Sequence, residues 1–176
     1  MSLALHAHQI LLVATLAFII GVLVPCWYTS PNLQTTRTVF QVCNTTASTC
    51  EWTLLPRSQL NSVTKILPLV AAVASIACAG LSLISLLLGS WYIQRFSGDI
   101  GSKWLLVLTI VAVLFSFILS CLVWVLMLTT NLYQNDTNTK EIRLQDFGFS
   151  IWISIGASST YFYVFFIYLI AICKSC

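Results

Sequence analysis

Charged residues are scarce in this chain. Only 7% of its 176 residues are Asp, Glu, Lys or Arg, and 59% are hydrophobic, whereas soluble globular domains carry about 25% charged residues. Eight basic and five acidic residues give a net charge of +3, and no basic run is present that could neutralise a row of phosphates. The composition therefore predicts a single-domain membrane protein that does not bind nucleic acid.

Four stretches contain no charged residue and are long enough to cross about 30 Å of hydrocarbon as helices. They cover approximately residues 7–25, 66–90, 104–128 and 149–173. Backbone polar groups in lipid need internal hydrogen-bond partners, so each stretch is predicted to be helical. We therefore expect an all-α membrane fold, a left-handed four-helix transmembrane bundle, with its two longer loops at 26–65 and 129–148.

The first apolar stretch has a second interpretation, a cleaved signal peptide. No Lys or Arg precedes it, and Val24-Pro25-Cys26-Trp27 is not a small-x-small cleavage site. We therefore expect a retained span. Sequencing the N-terminus of the mature protein distinguishes the two.

The spans also lack the residues of catalytic and transport sites. None contains Asp, Glu, Lys or Arg, which argues against coupled transport. His6 and His8 have no Cys or carboxylate neighbours, so they make a poor metal site, and no serine is expected within reach of a histidine on the same side of the membrane. We expect neither an enzyme nor a small-molecule binder, with no metal and no cofactor.

The two longer loops carry the orientation signals. Glycosylation sequons begin at Asn44 and Asn135, one in each loop, and this modification occurs on the lumenal side. The first loop also contains Cys43 and Cys50, a pair that persists in the oxidised form only outside the cytosol. The sequence thus predicts a multi-pass plasma-membrane protein with cytoplasmic N- and C-termini.

The first long loop has the pattern of a β-hairpin. Segments 33–43 and 50–55 are rich in β-branched residues, and the polar segment between them is a turn candidate. A Cys43–Cys50 disulfide would staple this hairpin and contribute roughly 2–3 kcal/mol. The alternative is two free thiols. Cys26 is left over at the membrane surface, with no partner assigned.

Several positions in this loop follow a known pattern. Trp27 follows the first span, Phe40 shortly precedes Cys43, Cys50 closes the hairpin, and Arg57 precedes the second span. At these positions and in layout, the chain resembles the claudin, epithelial membrane protein and peripheral myelin protein superfamily. In that superfamily a Trp follows the first helix, and a Gly-Leu-Trp-x-x-Cys block opens a strand of the extracellular sheet.

The match departs from the pattern in places. Thr38-Val39 stands where the Gly-Leu would be, and Phe40 replaces the motif Trp. Asp146-Phe147-Gly148-Phe149, before the fourth span, is similar to the acidic-Phe-Gly segment of many claudins. Cys173-Lys174-Ser175-Cys176 differs from the hydrophobic scaffold-binding end of many claudins.

Three aromatic residues of the first long loop have two interpretations. Trp27, Phe40 and Trp52 either anchor the small sheet onto the helix ends or contact a partner directly. The second long loop is either a solvated, glycosylated connector or a recognition loop, and it is expected to begin by extending the third helix.

The fourth span is unusually aromatic. Tyr161, Phe162, Phe165 and Phe166 either fill the bundle and face lipid or form a lateral docking surface. Beyond this span, Cys173 and Cys176 flank Lys174 and are candidates for S-palmitoylation.

The resemblance implies two functions. The first is cell–cell contact or junction assembly, in which the extracellular loops bind the same or a related protein in the same or the facing membrane. The second is an auxiliary subunit that docks laterally onto a larger channel or receptor. In both, the partners are membrane lipids and other membrane proteins.

Overall fold

A computed structural model describes residues 3–24, 27–30, 35–44, 46–54, 63–94, 100–135 and 147–175. Within them the chain forms four long helices, α1 (Leu3–Leu23), α2 (Val63–Gln94), α3 (Ile100–Asn135) and α4 (Phe149–Ser175). Between α1 and α2 lie four short strands, β1 (Tyr28–Ser30), β2 (Thr35–Arg37), β3 (Gln41–Asn44) and β4 (Thr49–Trp52).

The four predicted helices are present, and each is long and apolar enough to cross a membrane, as a multi-pass membrane protein requires. Both α2 and α3 begin before and end beyond the apolar runs 66–90 and 104–128. Helical hydrogen bonding continues after the hydrophobic pattern stops, because polar residues also support it. As expected, α3 extends into the second long loop.

The helices pack in a ring in which α1 and α3 each contact both α2 and α4. Several buried hydroxyl side chains donate to carbonyls of their own helix, as Thr15 does to Leu11 O (2.8 Å) and Ser116 to Ala112 O (2.9 Å). This satisfies them inside an apolar bundle. The Cys78 thiol donates to Ser116 O at 3.3 Å and so joins α2 to α3.

The strands form one antiparallel sheet in the order β1-β2-β3-β4. The prediction of a single strand over 33–43 is therefore wrong, since β2 and β3 are separated by a turn at Thr38. The Thr38 N–H donates to Gln41 O (2.8 Å), and Thr38 Oγ1 accepts from the N–H groups of Phe40 (3.2 Å) and Gln41 (2.8 Å). A hydroxyl that bonds its neighbouring backbone favours a turn over a continuing strand.

The sheet and the helices share one hydrophobic core. Val39, in the turn between β2 and β3, and Trp27, just before β1, are both fully buried within the cluster that includes Phe18 of α1 and Ile151 of α4. Trp27 and Val39 therefore join the sheet to the helical bundle through a common hydrophobic core.

Candidate contact surface on the sheet

The predicted disulfide is present. Cys43 of β3 lies directly opposite Cys50 of β4, and the two are bonded with their Cα atoms 4.1 Å apart. The bond closes the hairpin close to its tip. In that tip Ser48 has a positive φ of 50°, the left-handed conformation that allows a tight reversal.

Trp27 fastens the start of the sheet to α1 and to the residue just before α4. Its indole Nε1 donates to Gly21 O of α1 at 2.8 Å, its backbone N–H donates to Arg37 O at 3.2 Å, and its carbonyl accepts from Gly148 N at 3.1 Å, just before α4. The ring is fully buried. These bonds hold β1 between the end of α1 and the start of α4.

Tyr28 extends this attachment. It forms an antiparallel backbone bridge with Phe147, and the two rings lie 5.7 Å apart. At Tyr28, the β1 edge of the sheet thus pairs with Phe147, two residues before α4.

One face of the sheet, here called the inner face, is buried on its β1–β2 side. Tyr28 and Arg37 lie opposite each other on this face and are buried, with Arg37 only 8% exposed. Arg37 Nη1 has no hydrogen-bond partner. Burial lowers the pKa of the Arg37 guanidinium, and the electrostatic influence of Tyr28 opposes the shift.

The outer face is open and, over the described residues, uncharged. Strand alternation places the residues before and after each inner-face position on this side: Thr29, Thr36, Gln41, Cys43, Cys50 and Trp52. Of these, Thr29, Cys50 and Trp52 are exposed. Trp52 is the largest, with 55% of its surface accessible.

Strand β4 forms the other edge of the sheet, and all four of its residues are exposed. The Thr53 N–H donates to Phe40 O (2.7 Å), which sets the alternation of the antiparallel ladder. By that alternation Glu51 and Thr49 exchange hydrogen bonds with β3, and the peptide groups of Cys50 and Trp52 point away from it. An edge of this kind is a template for pairing with another chain.

The predicted loop residues occupy different environments. Trp27 is buried, Phe40 is half-buried against the core and Trp52 is exposed, so the Trp52 ring is not packed onto the helix ends as an anchor in the way that Trp27 is. Arg57 and Cys26 lie outside the described residues.

The modification candidates lie at element ends. Asn44 is the last residue of β3 and Asn135 the last of α3. Cys173 is an exposed free thiol in the last turn of α4, and Cys176 lies outside the described residues.

The aromatic residues of α4 divide between the inside and the outside of the bundle. Tyr161 is fully buried, with its ring edge-on to Phe18 of α1 at 6.4 Å. It cannot belong to a lateral surface, and the prediction that grouped it there is corrected: it faces α1. Phe162 and Phe166 are 46% and 45% exposed.

Four rings form a continuous patch where α3 and α4 meet. Phe162 lies 5.1 Å from Phe117 of α3 and 4.8 Å from Phe166, which in turn lies 5.6 Å from Phe165. We call these four residues the aromatic patch.

One expectation about histidine is wrong. His8 Nε2 lies 3.1 Å from Ser90 Oγ, because the beginning of α1 packs beside the end of α2. His8 Nδ1 has no hydrogen-bond partner, so the pair lacks the orienting acid of a catalytic triad. Over the described ranges, no group of three or more His, Cys, Asp or Glu side chains is arranged to hold a metal ion.

The sequence analysis did not identify Tyr28, Arg37 and Phe147 as the residues that form the buried end of the sheet. In the structure each of the pairs Tyr28-Thr29 and Thr36-Arg37 has one buried and one more accessible residue, but only the first pair shows an apolar–polar alternation in the sequence. Arg37 concealed the second pair, because a charged residue is normally assigned to the solvent side. No protein-family profile matches this chain, and no curated protein matches it.

Proposed function

We propose that this chain is a claudin-like, four-span cell-surface protein that mediates cell–cell contact through its sheet. In this proposal the helices form a left-handed bundle in the plasma membrane, the termini are cytoplasmic and the sheet is extracellular. The observation that carries it is the asymmetry of the sheet, since the β1 end is bonded to α1 and to the residues just before α4, and β4 presents an open edge beside an exposed tryptophan.

Three physical properties make this surface suitable for protein contact. The outer face is uncharged over its described residues, so little desolvation of charge opposes binding. An exposed Trp supplies a large apolar area at low entropic cost and is a typical hot-spot residue. The peptide groups of Cys50 and Trp52 add the capacity to extend the sheet with a strand from a second copy or a relative.

The test uses cells that express the protein and measures its enrichment at cell contacts together with paracellular conductance. Trp52→Ala is expected to lower contact enrichment severalfold. Trp52→Pro removes the outward-pointing N–H as well, which an edge strand tolerates, and is expected to lower it further. Trp104→Ala, in an exposed tryptophan of α3, is the matched control and should not change enrichment. Wild-type protein that neither clusters at contacts nor alters conductance would contradict the proposal.

A second candidate function is an auxiliary subunit of a larger channel or receptor, and the aromatic patch favours it. Two of its rings are nearly half exposed on the outside of the bundle, where aromatic side chains suit packing against another membrane helix. Purification in mild detergent should then recover a large membrane protein in fixed stoichiometry.

The control for this second function is another exposed aromatic residue of α4. Phe162→Ala combined with Phe166→Ala should abolish co-purification, whereas Trp152→Ala, in a residue 50% exposed outside the patch, should preserve it. Recovery of the chain alone from native membranes would rule this function out.

A further inference from the structure

Arg37 carries a buried charge with an unused hydrogen-bond donor. Its side chain is 8% exposed, and its Nη1 is buried without a hydrogen-bond partner. Arginine stays protonated in proteins, and a buried charge is costly unless it is paired and hydrogen-bonded. Burial lowers the pKa of the guanidinium, which is the direction expected when a cation loses water without gaining an anion.

The register of the sheet shows which residues lie beside this guanidinium. One row of the inner face consists, in order across the sheet, of Tyr28, Arg37, Val42 and Glu51. Tyr28 is buried, Val42 is half-buried and Glu51 is exposed. The row is therefore closed on the β1 side of Arg37 and becomes more accessible towards β4.

Glu51 is the one acidic residue in the ranges that the structure describes. Its backbone lies two strands away from that of Arg37, about 10 Å at roughly 4.8 Å per strand, and Val42 stands between them. An exposed carboxylate at that separation is screened by water and salt, so it does little to offset the burial of the cation. The described residues thus supply no acceptor to Arg37 Nη1.

The start of α4 indicates the height of this row relative to a membrane. Phe147 continues the row beyond Tyr28 and lies two residues before α4. In the first turn of α4, Phe149 and Trp152 are 71% and 50% exposed, and exposed aromatic residues at the end of a span are typical of the headgroup level. The row therefore lies where a bilayer presents its phosphate groups.

We propose that Arg37 is an anion-binding site whose ligand is a phosphate group, supplied by a phospholipid headgroup or as free phosphate. The planar guanidinium matches phosphate oxygens in geometry and charge, and the ligand provides the acceptor that Nη1 lacks. It enters from the more accessible side of the row, past Val42. The site is separate from the contact surface at Trp52, so it does not depend on the cell-contact function.

The first measurement is the thermal unfolding temperature of the whole protein, stripped of lipid in an uncharged detergent. Without phosphate, Arg37→Met should be the more stable protein. Added inorganic phosphate, or a short-chain phosphatidylcholine, should raise the unfolding temperature of wild type by several degrees relative to sodium chloride of equal ionic strength, because a ligand that binds only the folded state stabilises it.

The shift should depend on Arg37 and on no other positive charge. Arg37→Met should lose at least three quarters of it. Lys103→Met is the matched control, because it removes one charge from an exposed residue in the first turn of α3, and it should keep the full shift. An equal shift in wild type and Arg37→Met, or no shift of wild type with either probe, would overturn the proposal.

The second measurement distinguishes the two sources of phosphate. Wild type and Arg37→Met are compared in bilayers of phosphatidylcholine and in bilayers of a galactolipid, which has no phosphate. An Arg37-dependent gain in phosphatidylcholine without added phosphate identifies the lipid headgroup as the ligand. An Arg37-dependent gain that appears only when inorganic phosphate is added to the galactolipid bilayers identifies the free anion. A gain in neither bilayer would overturn the proposal.

Glu51→Gln tests the remaining counter-ion. If phosphate is the ligand, removing a nearby negative charge should preserve or increase the Arg37-dependent shift. If Glu51 itself compensates Arg37, Glu51→Gln should lower the unfolding temperature of phosphate-free protein by several degrees, with no such loss when Arg37→Met is already present. That second pattern would replace the phosphate site by an internal ion pair.

Discussion

The two edges of the sheet are built in opposite ways. At the β1 edge, Trp27 and Tyr28 bond to the end of α1 and to the segment before α4, and both side chains are buried. At the β4 edge all four residues are exposed, and Cys50 and Trp52 direct their peptide groups away from the sheet. Two tryptophans in one short loop therefore have different tasks, because one contributes to folding and the other is available for binding.

The difference has a physical origin in what each strand is adjacent to. β1 directly follows a long helix, so its residues are brought against the bundle and gain apolar burial. β4 is separated from β1 by two strands and gains its order from β3 and the disulfide. A sheet held at one side and stapled at the other is ordered across its width without covering its outer edge.

The largest expected effect is at the held edge. Trp27→Ala should lower the free energy of unfolding by about 3–5 kcal/mol, since it removes a fully buried ring and its hydrogen bond to Gly21 O. The measurement is unfolding by a denaturing detergent. Trp27→Phe keeps the ring and loses the donor, so about 1 kcal/mol is expected. Trp52→Ala should leave the free energy of unfolding within about 0.5 kcal/mol of wild type. Equal losses of stability in Trp27→Ala and Trp52→Ala would show that the two edges do not differ in what they contribute to folding.

The disulfide comes next. Replacing Cys43 and Cys50 together by Ser should cost roughly 2.5 kcal/mol in the chain-entropy description, given a sequence separation of 7. Amide hydrogen exchange should accelerate in β3 and β4 and stay slow at Trp27 and Tyr28, which the helices hold. Equal acceleration at both edges would show that the sheet unfolds as one unit.

The close approach of α1 and α4 at Gly21 is expected to have a smaller effect on stability than the disulfide. A Cβ there would lie 3.0 Å from Ser154 Oγ and 3.1 Å from Ile153 Cγ2, so Gly21→Leu should destabilise the bundle by about 2 kcal/mol through overpacking. It should also loosen the Trp27 attachment. Gly156→Leu is the control, because a Cβ at Gly156 meets nothing within 4 Å, and it should not destabilise.

The smallest effect concerns Arg37 on the inner face. Its buried guanidinium has an Nη1 without a hydrogen-bond partner, and burial lowers its pKa. Arg37→Met removes this desolvated charge and fills similar volume, so a gain of about 1 kcal/mol in unfolding free energy is expected.

The gain at Arg37 should be the same at about pH 5 and about pH 8. Burial opposes the charged form in the folded state, but arginine remains protonated across this range, so no titration enters the difference. Arg37→Lys, which keeps a buried charge, should give no gain. A loss of stability in Arg37→Met would mean that the charge is paired in the folded protein.

Some of the candidate site followed from composition and spacing. The Cys43–Cys50 bond was predicted because a turn-like segment separates two β-branched runs. The division of segment 33–43 into two strands was not predicted. Threonine is common both in strands and in turns, and only the hydrogen bonds of the Thr38 hydroxyl in the folded chain show that it forms a turn. Phe162 and Tyr161 are adjacent aromatic residues, and their sequence alone does not say which of them faces α1.

The sequence by itself determined the four helices and the stapled hairpin. Apolar runs without charge have one way to satisfy their backbone in hydrocarbon, and two cysteines beside a short turn are brought together locally. Only the tertiary structure decided the difference between the two edges. Packing against α1 and α4 selects which side chains are buried, and this selection depends on contacts between segments far apart in the chain, such as Tyr28 with Phe147 and Trp27 with Gly148.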